Sequence, residues 1–489
     1  MMKRTRCRRT GTLLLAGVMT LGMLLGGCGK KKSQLSPNNP VNLTVWHYYN
    51  GPQMATFDML VEEFNNTVGK EKGIYVTSYS KGSVSDLETA INDALDEKVG
   101  AEAMPDMFSS YADTAFRVEK SGALANLSDY FTAEELNGYV QEYVDEGRIG
   151  PDGALMIFPV AKSTEIMMLN KTDWDTFAAA TGAELSQLAT LEGVVQVSRA
   201  YYEWTDSLTP DVPDDGKAFY GRDAVANYFF TGSRQLGQEL LDIQNDQASI
   251  HADKEVFRKL WENYYVPMVS GWFGAYGKFR SDDVKTGDLL AYTGSTASVG
   301  YFPSQVENET DAHPIDYLVL NAPIFAGGQK VIVQQGAGIV VTKSDERREQ
   351  ACVEFLRWFT KPENNTVFGA GSGYLPVTKQ AQRLEVFQQV VSDKNLTMNP
   401  ITGECIRFCI EDMSDYTYYS PRTFTNGFAV RKVLEYGLSD KAAEDIQAIA
   451  EAVAAGRPKA EVLKPYVSDK AFETWYEEFT QRLSQAAAQ

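Results

Sequence analysis

The residues able to do chemistry in this chain gather in short polar turns that follow apolar runs. Trp46, His47, Tyr48 and Tyr49 close the run VNLTVWHYY, and Ser109, Tyr111 and Asp113 close MPDMFSSYAD. Lys162, Ser163, Thr164 and Glu165 fill a turn between apolar runs, and Ser295 and Thr296 do the same in LLAYTGSTAS. Gly336 and Gly338 stand in VIVQQGAGIVV, where the absence of a Cβ lets backbone amides approach a ligand closely. Trp272, Phe273 and Tyr276 in SGWFGAYG and Tyr374 in GYLP add aromatic faces, and Arg422 adds a cation. Such groups suit a polyol: donors and acceptors serve its hydroxyl rim, and an aromatic ring lies against its C–H face. This is recognition chemistry, and no catalytic pattern accompanies it. HExxH, GxSxG and CxxC are absent from the sequence. A glycosidase needs two carboxylates flanking the bond it cuts; Asp and Glu are plentiful here, but most fall on the polar faces of amphipathic helices.

Cysteines offer little more. Cys405 and Cys409 in GECIRFCIE are four apart, so a helix places them on one face, and neither His251 nor His313 is near in sequence to complete a metal site. Two small buried thiols is the favoured reading; a metal pair or an intra-helix disulfide remains open. No metal and no cofactor is expected.

The elements that must hold these turns alternate between strand and helix. The β-branched and aromatic run at 41–49 predicts a strand. Phe57, Leu60, Val61 and Phe64 predict a helix, GIYVTSYS a second strand, and Ser83 caps a helix marked by Leu87, Ile91 and Leu95. A third short strand at MPDMFSSY and a helix stopped by Gly122 complete a βαβαβ rhythm. That rhythm means a parallel sheet covered by helices, with ligands beyond the C-terminal strand ends. Farther on, Cys352, Phe355, Leu356 and Phe359 form one apolar stripe, and the chain from 438 onward reads as amphipathic helices.

The N-terminus carries Lys3, Arg4, Arg6, Arg8 and Arg9, then an apolar segment from Thr12 to about Leu25. This is shorter than a membrane span and matches a secretory signal peptide. Lys+Arg number 46 against 65 Asp+Glu; without the five basic residues of 1–27 the balance is 41 to 65, a net −24. That sign argues against nucleic acid and against adhesion to an anionic bilayer. About 460 remaining residues exceed what one core usually organises, so two domains are expected.

Two resemblances sharpen this. LGGC at Leu25–Cys28 resembles the bacterial lipobox, which implies that Cys28 is diacylated and becomes the mature N-terminus, followed by the tether GKKKSQLSPNNP. The ordered set LTVWHYYNG, LVEEFN, MPDMFSSYAD, PVAKSTEIMMLNK, GAGIVVTK, ACVEFLRWFTKPENNTVFG and SGYLPVTK resembles family 1 extracellular solute-binding proteins. The resemblance implies an α/β, periplasmic-binding-protein-like type II fold, with two lobes, a hinge and an interlobe cleft. It also implies a membrane-anchored, extracytoplasmic monomer with no enzymatic activity, bound to the membrane through its lipid alone, which captures a sugar or oligosaccharide and delivers it to the membrane subunits of an ABC importer.

The corresponding divisions are 1–27 signal peptide, 28–40 anchor and tether, 41–160 plus 316–380 one lobe, and 161–315 plus 381–489 the other. The expected ligand-binding set is Trp46, His47, Tyr48, Tyr49, Tyr111, Asp113, Ser163, Thr164, Glu165, Trp272, Ser295, Thr296, Gly336, Tyr374 and Arg422. The alternatives are a receptor for glycerol-3-phosphate or a related organophosphate, and a surface glycosidase. Ser163, Ser295, Gly336, Tyr374 and Arg431 match the glycerol-3-phosphate branch. Tyr111-Ala112 stands where that branch has Tyr-Glu, and no aromatic lies near Val84.

Overall fold

The computed structural model describes residues 35–244, 246–309, 312–413 and 415–488. Cys28, the expected signal peptide and most of the tether lie outside the described residues.

Two α/β halves are built on separate sheets. In the first sheet the strands run in the order Ile74–Ser80, Val41–His47, Met107–Ser110, Gly338–Val341, Ile157–Phe158. The first three are parallel, with Val45 opposite both Ser78 and Met107, as the βαβαβ rhythm predicts. Gly338–Val341 arrives from much later in the chain and runs antiparallel to both its neighbours. The strand expected over 41–49 ends at His47, and the next helix begins at Gly51, where Pro52 occupies the first turn without losing a needed hydrogen bond. Ser83 caps the helix Val84–Leu95 by accepting from the Asp86 amide at 3.1 Å. Leu43, Val45, Phe57, Phe64, Ile91, Phe108 and the helix Glu346–Phe359 share one apolar core.

The second sheet runs Tyr317–Asn321, Glu165–Asn170, Ala291–Ser295, Tyr220–Arg222. All six residues of Glu165–Asn170 are buried. Successive side chains leave opposite faces of a strand, so Met167 and Leu169 enter one core while Ile166 and Met168 enter another. The first of these cores is closed by the C-terminal helices, where Phe479 stacks on Phe229 with ring centroids 5.1 Å apart. The second holds Cys405 and Cys409 on one face of the helix Pro400–Glu411. Both are free buried thiols, as is Cys352.

One expectation needs correction. Strand Tyr317–Asn321, placed with the first lobe by a boundary at 316, is hydrogen-bonded to Glu165–Asn170 in the second sheet. It is partly buried on both faces, and such a short apolar run fits an edge position in either sheet, which sequence patterning does not separate. The second sheet is mixed: Glu165–Asn170 runs against both neighbours, so that strand starts where Ala291–Ser295 ends.

Segments 161–164 and 333–337 pass between the sheets and pair with each other. Ser163 and Gln335 exchange two backbone hydrogen bonds of 2.9 and 2.8 Å, and Lys162 pairs likewise with Leu375 at 3.1 and 2.6 Å. The Lys162 ammonium, 3% exposed, donates to Glu146 at 2.6 Å and to the Gly336 carbonyl at 2.9 Å. Gly336 has φ +92°, and a Cβ there would meet the Ala161 carbonyl oxygen at 2.6 Å, so glycine is required where the two crossing segments touch. No described helix is long and apolar enough to cross a membrane.

Candidate functional site: an interlobe cleft

A cavity of about 420 Å³ opens between the halves. Glu88, Tyr111 and Asp113 line it from the first half, Gln334 and Gln335 from the crossing segment, and Asn227, Arg431, Lys432 and Glu435 from the second. Tyr111 follows the end of the third strand at Ser110 and precedes the helix Ala112–Lys120, so chain order alone brings it to the cleft edge. Its ring stacks on Tyr48 at 6.3 Å, and the hydroxyls of Tyr48 and Tyr374 lie 3.1 Å apart behind it.

The opposite wall is organised by one polar chain. Arg222 donates to Glu165 at 2.8 Å, and the Asn227 amide donates to the other Glu165 oxygen at 2.8 Å. The amide oxygen of Asn227 is thereby turned outward and accepts from Arg431 at 2.8 Å. Glu435 accepts from the Val225 and Ala226 amides at 3.1 and 2.8 Å, an anion seated on a helix N-terminus. Lys432 lies 4.6 Å from the Phe428 ring centroid. Among the described residues neither Arg431 nor Lys432 forms an ion pair.

Four carboxyl groups in and around the cleft are held above their ordinary range. Burial raises Glu88, with Thr114 opposing it, and raises Asp113, whose carboxylate accepts from Thr423 at 2.7 Å. Burial raises Glu165 against the pull of Arg222, and lifts Asp223 to about 6 against the pull of Arg280. Among the described residues no group of three or more His, Cys, Asp or Glu is placed to hold a metal ion.

The structure divides the expected site residues. Tyr111, Asp113 and Glu165 reach cavities in the cleft; Ser295 lines an adjoining cavity with Glu165, and Arg422 lines another. Tyr48 and Tyr374 form the layer behind Tyr111. Trp46, His47 and Tyr49 are 4%, 0% and 0% exposed and belong inside the first half. Trp46 lies under the Lys81 ammonium at 3.7 Å, and His47 packs between Tyr49 and Phe57. An aromatic strand end reads the same in sequence whether it faces a ligand or a covering helix.

Ser163, Thr164 and Thr296 are buried in the crossing region. Thr164 donates to the Val333 carbonyl at 2.7 Å, and Thr296 donates its amide to the Thr164 carbonyl at 2.8 Å. Gly336 serves the same joint. Glu165 is committed to Arg222 and Asn227 rather than presented freely. Trp272 stands away from the cleft, with the Arg199 guanidinium 5.6 Å from its ring and its carbonyl accepting from Phe219. Asn227, Lys432 and Glu435 escaped sequence reading because they lie on helices, where a polar residue ordinarily signals a solvated face; Arg431 was visible only through the branch resemblance.

In structure, the chain is similar to the cyclic α-maltosyl-1,6-maltose binding protein from Arthrobacter globiformis, at 17% identity and a TM-score of 0.64 over 92% of this chain and 99% of that one. UgpB from Mycobacterium tuberculosis, solved with glycerophosphocholine, is similar at 17% identity and a TM-score of 0.63 over 91% and 99%. The Listeria monocytogenes substrate-binding protein Lmo0181, solved with cycloalternan, follows at 17% identity and 0.59 over 85% and 100%. These likenesses show the two-lobe type II fold. No curated protein is matched in sequence. The family profile described as bacterial extracellular solute-binding protein matches residues 59–397, more than half of the sequence, and the chain belongs to that family.

Proposed function

We propose that this solute-binding protein captures a carbohydrate in the interlobe cleft and passes it to the membrane subunits of an ABC importer, without catalysis. The observation that carries the reading is the 420 Å³ cavity walled by both halves and the crossing segment, with the Tyr111 ring beside polar groups from each wall. A ligand touching both walls makes contacts that an open arrangement cannot make, and so favours closure. The lobes are drawn from about 41–160 with 338–380, and from about 165–325 with 384–488. Tyr111, Asp113, Asn227 and Arg431 are the proposed ligand partners, with Glu165 positioning Asn227. Cys28 carries the lipid anchor of an extracytoplasmic monomer, on the strength of the LGGC motif and the polar tether after it.

One observation favours a second reading, an organophosphate or otherwise anionic ligand: Arg431 and Lys432 face the cavity, while Glu435, Asp113 and Glu146 are each already engaged. A thermal-shift screen of mono- and oligosaccharides beside glycerol-3-phosphate and its diesters decides. Stabilisation by a neutral saccharide supports the first reading; stabilisation by the phosphates alone replaces it with the second.

A further inference from the structure

Away from the crossing segments, one helix of the first lobe is held against the second lobe at both of its ends. The helix Ala112–Lys120 packs on the helix Gly427–Tyr436, whose Phe428, Arg431 and Tyr436 line the central cavity. In its first turn Asp113 accepts from the Thr423 hydroxyl at 2.7 Å. At its last residue the Lys120 ammonium lies 3.3 Å from Asp246, between the strands Leu241–Gln244 and Gln247–Ile250. Asp246 in turn accepts from the Thr425 amide at 2.8 Å and from its hydroxyl at 2.7 Å. Gly427 permits this approach, because a Cβ there would meet an Asp113 carboxylate oxygen at 2.7 Å.

Neither Asp113–Thr423 nor Lys120–Asp246 lies in the crossing segments, so a rotation that parts the lobes about the crossing breaks both. Both are complete without a ligand. The two bonds from Asp246 to Thr425 stay within the second lobe, and they keep residues 423–425 presented to the first-lobe helix in either arrangement. A hydrogen bond to a carboxylate, and an ion pair whose members are 51% and 27% exposed, are each modest. Together they favour the closed arrangement by roughly ten-fold. Part of the closure is then made before any ligand arrives, and apparent affinity rises with the fraction of protein already closed.

We infer that Asp113 with Thr423, and Lys120 with Asp246, form a latch that holds the lobes together in the ligand-free protein, whatever ligand the cleft takes. Small-angle X-ray scattering of the full chain, purified with Cys28→Ser so that no lipid is attached, tests it without a ligand. This parent protein is expected to scatter as the closed structure described above. Thr423→Val combined with Lys120→Glu removes the hydroxyl donor and reverses the charge. It is expected to move the closed-to-open ratio roughly ten-fold toward open, with a larger radius of gyration. Gly427→Ala is expected to open the lobes too, at an unchanged or higher melting temperature, because alanine favours the helix while its methyl group displaces Asp113. Thr423→Ser keeps the hydroxyl and should scatter as the parent does. So should Lys98→Glu, whose partner Asp93 belongs to the same lobe. A parent that is already open without ligand, or a double variant with parental scattering, overturns the latch. Opening of Thr423→Ser or Lys98→Glu to the same extent also overturns it.

Discussion

Replacing Glu165 by Gln tests whether the second-lobe wall is held by charge. The side chains of Arg222 and Glu165 are both 6% exposed, and their 2.8 Å contact is the ion pair that neutralises either charge. Glu165→Gln keeps the shape and one oxygen, but leaves the guanidinium buried beside a neutral amide. Removing one partner of a buried pair costs about 3–5 kcal/mol, because the remaining charge is left without compensation. With one acceptor retained, a loss near the lower end, about 3 kcal/mol, is expected. In a lobe of this size each kcal/mol moves the melting temperature by about 2–4 °C, so the variant should melt about 6–12 °C lower. The double change Glu165→Met with Arg222→Met exchanges the pair for apolar groups of similar volume and should recover at least half of that loss. Differential scanning calorimetry of the three proteins reads the result. If Glu165→Gln melts within about 2 °C of wild type, the pair is not what holds this wall, and its role in aiming Asn227 at Arg431 falls with it.

Four further outcomes follow from the geometry. His47 titrates at about 4 in the folded chain, because burial disfavours its charged form, against about 6.5 unfolded. The unfolded chain therefore takes up this proton first, and urea stability should fall between pH 6.5 and 4 by up to about 3 kcal/mol more in wild type than in His47→Gln, with no such difference above that window. Lys162→Met removes the buried partner of Glu146 at the crossing and should cost about 3 kcal/mol in the same assay, a loss below 1 kcal/mol counting against the clamp. Lys120→Ala, which removes the solvent-exposed pair with Asp246 at 3.3 Å, should change stability by less than about 1 kcal/mol. Cys28→Ser should move the protein from the membrane to the soluble fraction on cell fractionation, and full retention on the membrane would refute the anchor.

The βαβαβ opening was legible because local signals agree: Ser83 caps, Leu87 and Ile91 repeat at helical spacing, and Val41–His47 is β-branched. Strand Tyr317–Asn321 was assigned to the wrong half because a short apolar strand pairs equally well with either sheet until the long-range partner is known. Strand-end logic picked out Tyr111 and Asp113, which line the interlobe cavity, and equally Ser163 and Thr164, which lie buried where the crossing segments pair. Their segment passes between sheets and buries its backbone, and sequence patterning does not distinguish a crossing from a rim. Asn227 and Arg431 come from helices far apart in sequence that pack against each other, and Glu165 orients the Asn227 amide between them.

The two walls of the cleft are unequally free to change. Asp113 bonds Thr423, Glu88 bonds Thr114, and Glu146 holds both Lys162 and Gln334, so each of these cavity-lining acids of the first lobe also supports the fold. Phe279, Phe428 and Tyr436 stand half in solvent, with much of each ring uncommitted to packing. Those three rings can therefore be replaced at little loss of stability, while a change at Glu146 alters the cavity lining and the joint together. Sequence drift is expected to gather on the second-lobe wall, with the first kept as the fixed reference against which the joint is calibrated.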